Sequence, residues 1–151
     1  MNETGTFDEC GVGIRGVAMT IDGIAWFGLL FVAVYAVALP TGQVNATASG
    51  LDAELTGAYG TASFVLWLGL GTAYHTLFEW RFGRTVGKYL VSIRVASADG
   101  SPPSLRAALV RNLVRFVDWF PVFYLVGIVA MVVSDRDRRL GDRVGDTLVV
   151  R

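Results

Sequence analysis

Asp22 is the residue whose type and position most need a chemical explanation, because it lies inside an apolar run, residues 17–39, that carries no other charge. It stands about five residues from the inner end of that run, roughly 7 Å deep by helical rise. A carboxylate there costs on the order of 2.5 to 3.5 kcal/mol to insert into a bilayer, so it must face protein or water and find a partner. His75, the only histidine, lies in a second apolar run, 59–78, and Asp118 lies in a third, 116–133. If the first two runs are antiparallel helices, His75 reaches a depth similar to that of Asp22. Asp22, His75 and Asp118 would then form an intramembrane polar cluster suited to proton or cation movement, since histidine titrates near neutral pH. The competing reading is a buried ion pair or hydrogen-bonded node that fixes helix packing.

Arg15 precedes Asp22 by seven residues and shares its helical face, but two turns separate them and helical side chains lean toward the amino terminus. Direct contact between the two is not expected. Partners should come from other segments, and Glu79 and the arginines around Arg81 and Arg111 fall near the right level.

Other patterns carry less. A single histidine without a second ligand at metal spacing makes no metal site. Gly83-Arg84-Thr85-Val86-Gly87-Lys88 is one residue short of a phosphate loop, and Tyr89 stands where the magnesium-holding hydroxyl would be. No nucleophile is paired with a base, so neither an enzyme nor a bound cofactor or metal is expected. Cys10 is the only cysteine and can form no internal disulfide. The formal net charge is zero, which leaves no global field to attract nucleic acid.

The elements that must position these residues are membrane spans. Of the 151 residues, 53% are hydrophobic and only 17% charged, and the apolar ones come in unbroken runs, which argues against a soluble domain. A helix needs about 20 residues to cross the hydrocarbon core, so runs 17–39 and 59–78 suffice and 116–133 is marginal. The expected fold is an all-α integral membrane protein, one domain over 1–151, with two transmembrane helices and a third hydrophobic, re-entrant or crossing segment. Glu3, Asp8 and Glu9 precede the first run and no small-residue cleavage site follows it, so a retained anchor is expected instead of a signal peptide. Twelve arginines against one lysine is the usage of a high-GC genome such as a salt-loving archaeon's.

Loop charges set the orientation. The loop after the first run has no Lys or Arg, whereas 79–115 carries Arg81, Arg84, Lys88, Arg94, Arg106, Arg111 and Arg115. The amino terminus and the basic loop are therefore expected inside the cell membrane. Asn45-Ala46-Thr47, in the outer loop, is a weak glycan-acceptor pattern. A full third crossing would place the arginine-rich tail, 134–151, outside, against the rule. A segment that bends near Asp118-Trp119-Phe120-Pro121 and returns would keep the tail inside, and this alternative is favoured.

Residues 104–118 read as an amphipathic helix, with Arg106, Arg111 and Arg115 suited to anionic headgroups of the inner leaflet. Residues 85–98 alternate apolar and polar side chains (Val91, Ser92, Ile93, Arg94, Val95) and read as a short strand before the turn at 99–103, and 147–150 is a second strand-like run; the competing reading is extended coil for both. Pairing of the two would require tail and basic loop to share one face. Gly60, Gly69, Gly71 and Ala73 permit close helix approach within or between copies.

In this order the motifs resemble the RDD family of membrane proteins, named for one arginine and two aspartates. Arg15 opens the first span and Asp22 lies within it. Residues 83–88 with Ser92-Ile93-Arg94-Val95, then Arg111-Asn112-Leu113 and Asp118-Trp119-Phe120-Pro121, match its loop and amphipathic stretch. Arg138-Arg139-Leu140-Gly141-Asp142 with Thr147-Leu148-Val149-Val150 matches its carboxy-terminal signature, which makes Asp142 the second aspartate. Gly145-Asp146 departs from the Ala-Gly expected there. The resemblance implies Arg15, Asp22 and Asp142 as characteristic residues and a membrane protein of transport-like or unassigned function. Three segments cannot easily enclose a pathway, so ion or small-solute transport, of the cation/proton antiport kind, would require a homo-oligomer. The alternative is a non-catalytic module that anchors or assembles partners through its basic loop and tail.

Overall fold

The computed structural model describes residues 10–97, 100–119, 142 and 144–150, with side chains omitted at 116–119. Its elements, in order, are α1 (Val12–Thr41), β1 (Val44–Thr47), β2 (Gly50–Ala53), α2 (Gly57–Phe82), α3 (Val86–Leu90), β3 (Arg94–Ser97), α4 (Leu105–Trp119) and β4 (Thr147–Val150). The chain divides into two units, Gly23–Ala73 and the remainder, and α1 and α2 each contribute to both. Most of the third apolar segment, and the side chain of Asp118, lie outside the described residues.

α1 is 30 residues long with mean hydropathy 2.0 over its most apolar window, and only 17% of that window is buried. A helix of that length and composition can cross a bilayer, and a soluble core helix would be mostly covered instead. Ile24, Phe27, Phe31, Val32 and Leu39 are all exposed, as lipid-facing residues would be. The helix ends where Pro40 lacks an amide donor and Gly42 turns left-handed at φ 68°, letting Gln43 N–H donate to the Ala38 carbonyl at 2.9 Å.

Within the unit of residues 23–73, Trp67 Nε1 donates to the Trp26 carbonyl at 2.9 Å and the two indoles lie 6.0 Å apart. Gly71 is needed there, because a Cβ would fall inside the Trp26 ring. The loop after α1 is folded where no element was expected: β1 and β2 form an antiparallel hairpin, Val44 opposite Ala53 and Thr47 opposite Gly50. Two strands alone are marginal in water. This pair is tied down by Tyr35 Oη donating to the Leu51 carbonyl at 2.7 Å. Asn45 is exposed on β1.

In the other unit, β3 and β4 pair antiparallel, Arg94 opposite Val150 and Ser97 opposite Thr147. Val95 and Val149 pack with Ile93, Ala18 and Cys10, while Ala96, Leu148 and Val150 form a second apolar cluster. α4 is capped by Ser104, whose Oγ accepts from Ala107 N at 3.1 Å. Its orientation corrects one expectation. Arg111 and Arg115 are drawn inward toward Glu79, whereas Arg106 and Leu105, Leu109 and Leu113, the leucines spaced by four, are exposed. The physical reason is a fully buried carboxylate, Glu79, which needs cations more than water does.

α3 ends in a Schellman arrangement: Ile93 N–H reaches the Lys88 carbonyl at 3.0 Å and Ser92 N–H the Tyr89 carbonyl at 3.1 Å. This forces Ser92 to φ 56°, a left-handed conformation that a side chain adopts at a cost. Ser92→Gly is therefore expected to stabilise the protein by roughly 0.5 to 1 kcal/mol, net of glycine's greater unfolded entropy. Thermal unfolding in detergent should show a raised midpoint, and a lowered one would contradict the assigned cap.

Candidate functional site

The polar residues gather in one unit, in three connected carboxylate centres. The first is Asp22, 2% exposed on α1. Its Oδ1 accepts from Tyr74 Oη at 3.0 Å and Gly87 N at 2.8 Å, and its Oδ2 accepts from Thr85 Oγ1. Three neutral donors thus satisfy the charge, which is what a carboxylate in an apolar span requires. The hexapeptide 83–88 supplies two of them. Thr85 caps α3, Val86 N donates to Tyr74 Oη at 3.1 Å, and Gly87 lacks the Cβ that would sit 2.8 Å from the Asp22 carboxyl carbon and closer still to the Ala18 carbonyl. The segment that mimics a phosphate loop is a clamp on the protein's own carboxylate.

The second centre is Glu79, 0% exposed near the end of α2. Lys88 Nζ donates to Oε1 at 2.7 Å, Asn112 Nδ2 to Oε2 at 3.0 Å, and the guanidinium groups of Arg111 and Arg115 stand at 3.2 and 4.0 Å. Lys88 Nζ also lies 3.4 Å from Thr85 Oγ1, which joins this centre to the first. The third is Asp142, 2% exposed, bonded by Arg15 Nη1 at 2.8 Å and by Arg111 Nη1 at 2.5 Å. Arg111 therefore bridges Glu79 and Asp142, and its Nη1 reaches Thr147 Oγ1 at 3.4 Å.

Burial pushes the Lys88 ammonium below its ordinary range; Glu79 opposes that shift and Arg115 and Arg111 add to it. Burial also lowers Arg111, but Asp142 and Glu79 outweigh it and hold its guanidinium more firmly protonated than usual. Arg111 is thereby held as a cation between two carboxylates. A cavity of about 30 Å³ opens among Arg15, Asp22, Lys88, Arg111, Arg115 and Asp142.

Arg15 and Asp142, two of the three residues singled out in the sequence, are direct partners. Asp22, the third, is held by a separate set. His75 is buried at 2% exposure with its ring 5.0 Å from that of Tyr74, so it neighbours the Asp22 centre through Tyr74. Asp118 belongs to the undescribed side chains and is not placed in the cluster. Tyr74, Thr85, Gly87, Lys88 and Asn112 carry functions that spacing alone did not reveal; the exceptional burial cost of Glu79 beside an apolar run was the available signal. Among the described residues, no group of three His, Cys, Asp or Glu side chains is arranged to hold a metal ion.

The RDD family model matches residues 10–146, and the chain belongs to the RDD family. The match encloses Asp22, Glu79 and Asp142 and the residues that donate to them. No curated protein and no solved structure matches.

Two substitutions separate the parts of this network. Glu79→Gln would leave Lys88 and Arg111 buried without their counter-charge and should cost about 3 to 5 kcal/mol. Gly87→Ala, which changes no charge, should cost about 1 to 3 kcal/mol by forcing α3 away from Asp22. Denaturation in detergent measures both, and near-neutral values would mean that the clamp and the ion pairs are not what hold α3 and α4.

Proposed function

We propose, on the premise of RDD family membership, that the protein is a multi-pass membrane protein that handles small ions as a homo-oligomer, with the three-carboxylate network as its working site. The observation that carries this reading is three buried cations, Arg15, Lys88 and Arg111, with the partly buried Arg115 and two buried carboxylates, Asp22 and Asp142, around a cavity beside a helix long and apolar enough to cross a membrane. Ionisable groups at such positions are expensive, and they characteristically line ion paths when a cavity adjoins them. The working centre moves from Asp22 and His75 to the arginine-linked pair of Glu79 and Asp142, because Asp22 is already saturated by neutral donors.

Topology follows the same line. α2 would be the second span, returning the chain to the inner face. There Arg81 lies over the Phe82 ring and Arg84 over the Tyr89 ring, beside exposed Trp80 and Leu90. Basic side chains with exposed aromatic rings suit the headgroup level of an anionic leaflet. The pairing of β3 with β4 supports one face for the basic loop and the tail, since residues 94–97 and 147–150 share a sheet. A second reading, an anchoring or assembly module, draws support from the saturated Asp22, which behaves as a packing node.

Ion flux into liposomes decides between them. Reconstituted wild-type protein should pass ions, and Asp142→Asn, checked for folding by gel filtration and circular dichroism, should reduce flux at least tenfold. Absence of flux in the wild type, or undiminished flux in a folded Asp142→Asn protein, would overturn the proposal and favour the module. For topology, a cysteine appended after Arg151, with Cys10 replaced by serine, should resist impermeant thiol reagents in intact cells. Labelling from outside would refute the shared inner face.

A further inference from the structure

We infer that α3 and α4 lie within the inner leaflet, where lipid acyl chains cover the surface formed by Val86, Tyr89, Leu90, Leu105, Leu109 and Leu113. The inference rests on the membrane-spanning reading of α1 and is independent of ion handling. The first observation is that both helices are inside out. On α3, Gly87 and Lys88 are buried while Val86, Tyr89 and Leu90 are exposed. On α4, Arg111 and Asn112 are buried while the three leucines are exposed. A helix in water turns its apolar face inward, and a helix resting on a membrane surface keeps its charged face wet. Here the charged face is the dry one, which fits neither setting. An apolar solvent imposes that arrangement, because polar groups must then be satisfied within the protein.

The second observation fixes the depth and so names the occupant. Asp22 stands inside the apolar run 17–39, roughly 7 Å from its end by helical rise. Gly87 N donates to the Asp22 Oδ1 at 2.8 Å, and a Cβ at Gly87 would strike the Ala18 carbonyl. α3 therefore lies alongside residues 18–22, within the run and not beyond it. α4 is tied to the same end. Its Arg111 shares Asp142 with Arg15, which stands just before the run, and its Asn112 Nδ2 donates at 3.0 Å to Glu79, the residue after the run 59–78. Apolar side chains that point outward at this level meet hydrocarbon.

The exposed arginines mark the edge of the embedded surface. Arg84 stands over the Tyr89 ring at 4.8 Å, and Arg106 follows Leu105 in the first turn of α4. Arginine buries its stem along apolar surface and carries its guanidinium to water, so both residues reach headgroup level from backbones set deeper. The basic segment 79–115 thus divides by depth. Arg84 and Arg106 answer the headgroups, and Lys88 and Arg111 answer the buried carboxylates.

The test is spin-label accessibility in vesicles of phosphatidylcholine and phosphatidylglycerol. Leu90→Cys, Leu109→Cys, Arg106→Cys and, on α1, Phe31→Cys are each made in a Cys10→Ser background, at positions exposed enough to spare the fold. Each is labelled with a nitroxide, and its collision rates with molecular oxygen and with a water-soluble nickel chelate are measured. At 90 and 109 oxygen should exceed nickel, with an oxygen-to-nickel ratio roughly fivefold or more above that at 106, since oxygen concentrates in hydrocarbon and the chelate stays in water. Nickel in excess at 90 or 109, with oxygen in excess at 31, would overturn this inference and leave the membrane-spanning reading intact. Nickel in excess at 31 as well would sink both. A label at 90 or 109 shielded from both probes would also overturn it, identifying protein, either the third apolar run or a second copy, as the cover. Liposome flux is read separately, so an embedded face without transport sinks the transport reading alone.

Discussion

A carboxylate buried in an apolar helix must be given donors, and the answer to that demand at Asp22 organises the unit around it. The donors come from the turn after α2, which is pulled against α1 closely enough that only glycine fits at position 87. Once Thr85 and Gly87 are seized, α3 has no freedom of rotation. Lys88 is then directed at Glu79, and Thr85 Oγ1 serves both centres, accepting from Lys88 while donating to Asp22. One constraint thus sets the position of a helix, a turn and the neighbouring ion pair.

Glu79 extends the order to the rest of the chain. With no exposure to water, it draws Arg111, Asn112 and Arg115 from a single face of α4, and Arg111 carries the connection on to Asp142 and Thr147 beside β4. A buried network of this kind is a weak source of net stability, because desolvation offsets much of the Coulomb attraction. Its consequence is specificity: any other rotation of α4 would bury a charge without a partner. The exposed leucines at 105, 109 and 113 are the other side of the same choice. An amphipathic helix has two faces, and the one turned inward here is the charged one.

Much of this was legible in the sequence. A long apolar run containing one carboxylate could only be a membrane-suited helix with a satisfied aspartate, and α1 has the length and exposure for it. Alternation over 85–98 marked a strand that is confined to β3 at its end, since residues 86–90 form α3 instead, and the strand-like 147–150 became its partner. The β1–β2 hairpin was missed because its strands are short, exposed and rich in Ala, Asn and Thr, and lack the apolar alternation that marks a half-buried strand. Of the expected cluster of Asp22, His75 and Asp118, the described residues contain the first two, and the side chain of Asp118 lies outside them. His75 sits against Tyr74, and Tyr74 makes the contact with Asp22.

By itself the sequence determined which runs were apolar enough for lipid and that Asp22, inside one of them, would be costly there, while Arg15 and Asp142 were marked by the family resemblance. Burial cost is a property of residue type and local context, and so can be read along the chain. Which charge answers which was decided only in three dimensions. Arg15 and Asp142 are 127 positions apart, and Arg111 serves two carboxylates from separate segments. Coulomb attraction depends on distance in space, and any of several arginines would have satisfied the same composition. The folded backbone, brought close at Gly87 and paired between β3 and β4, selected one arrangement.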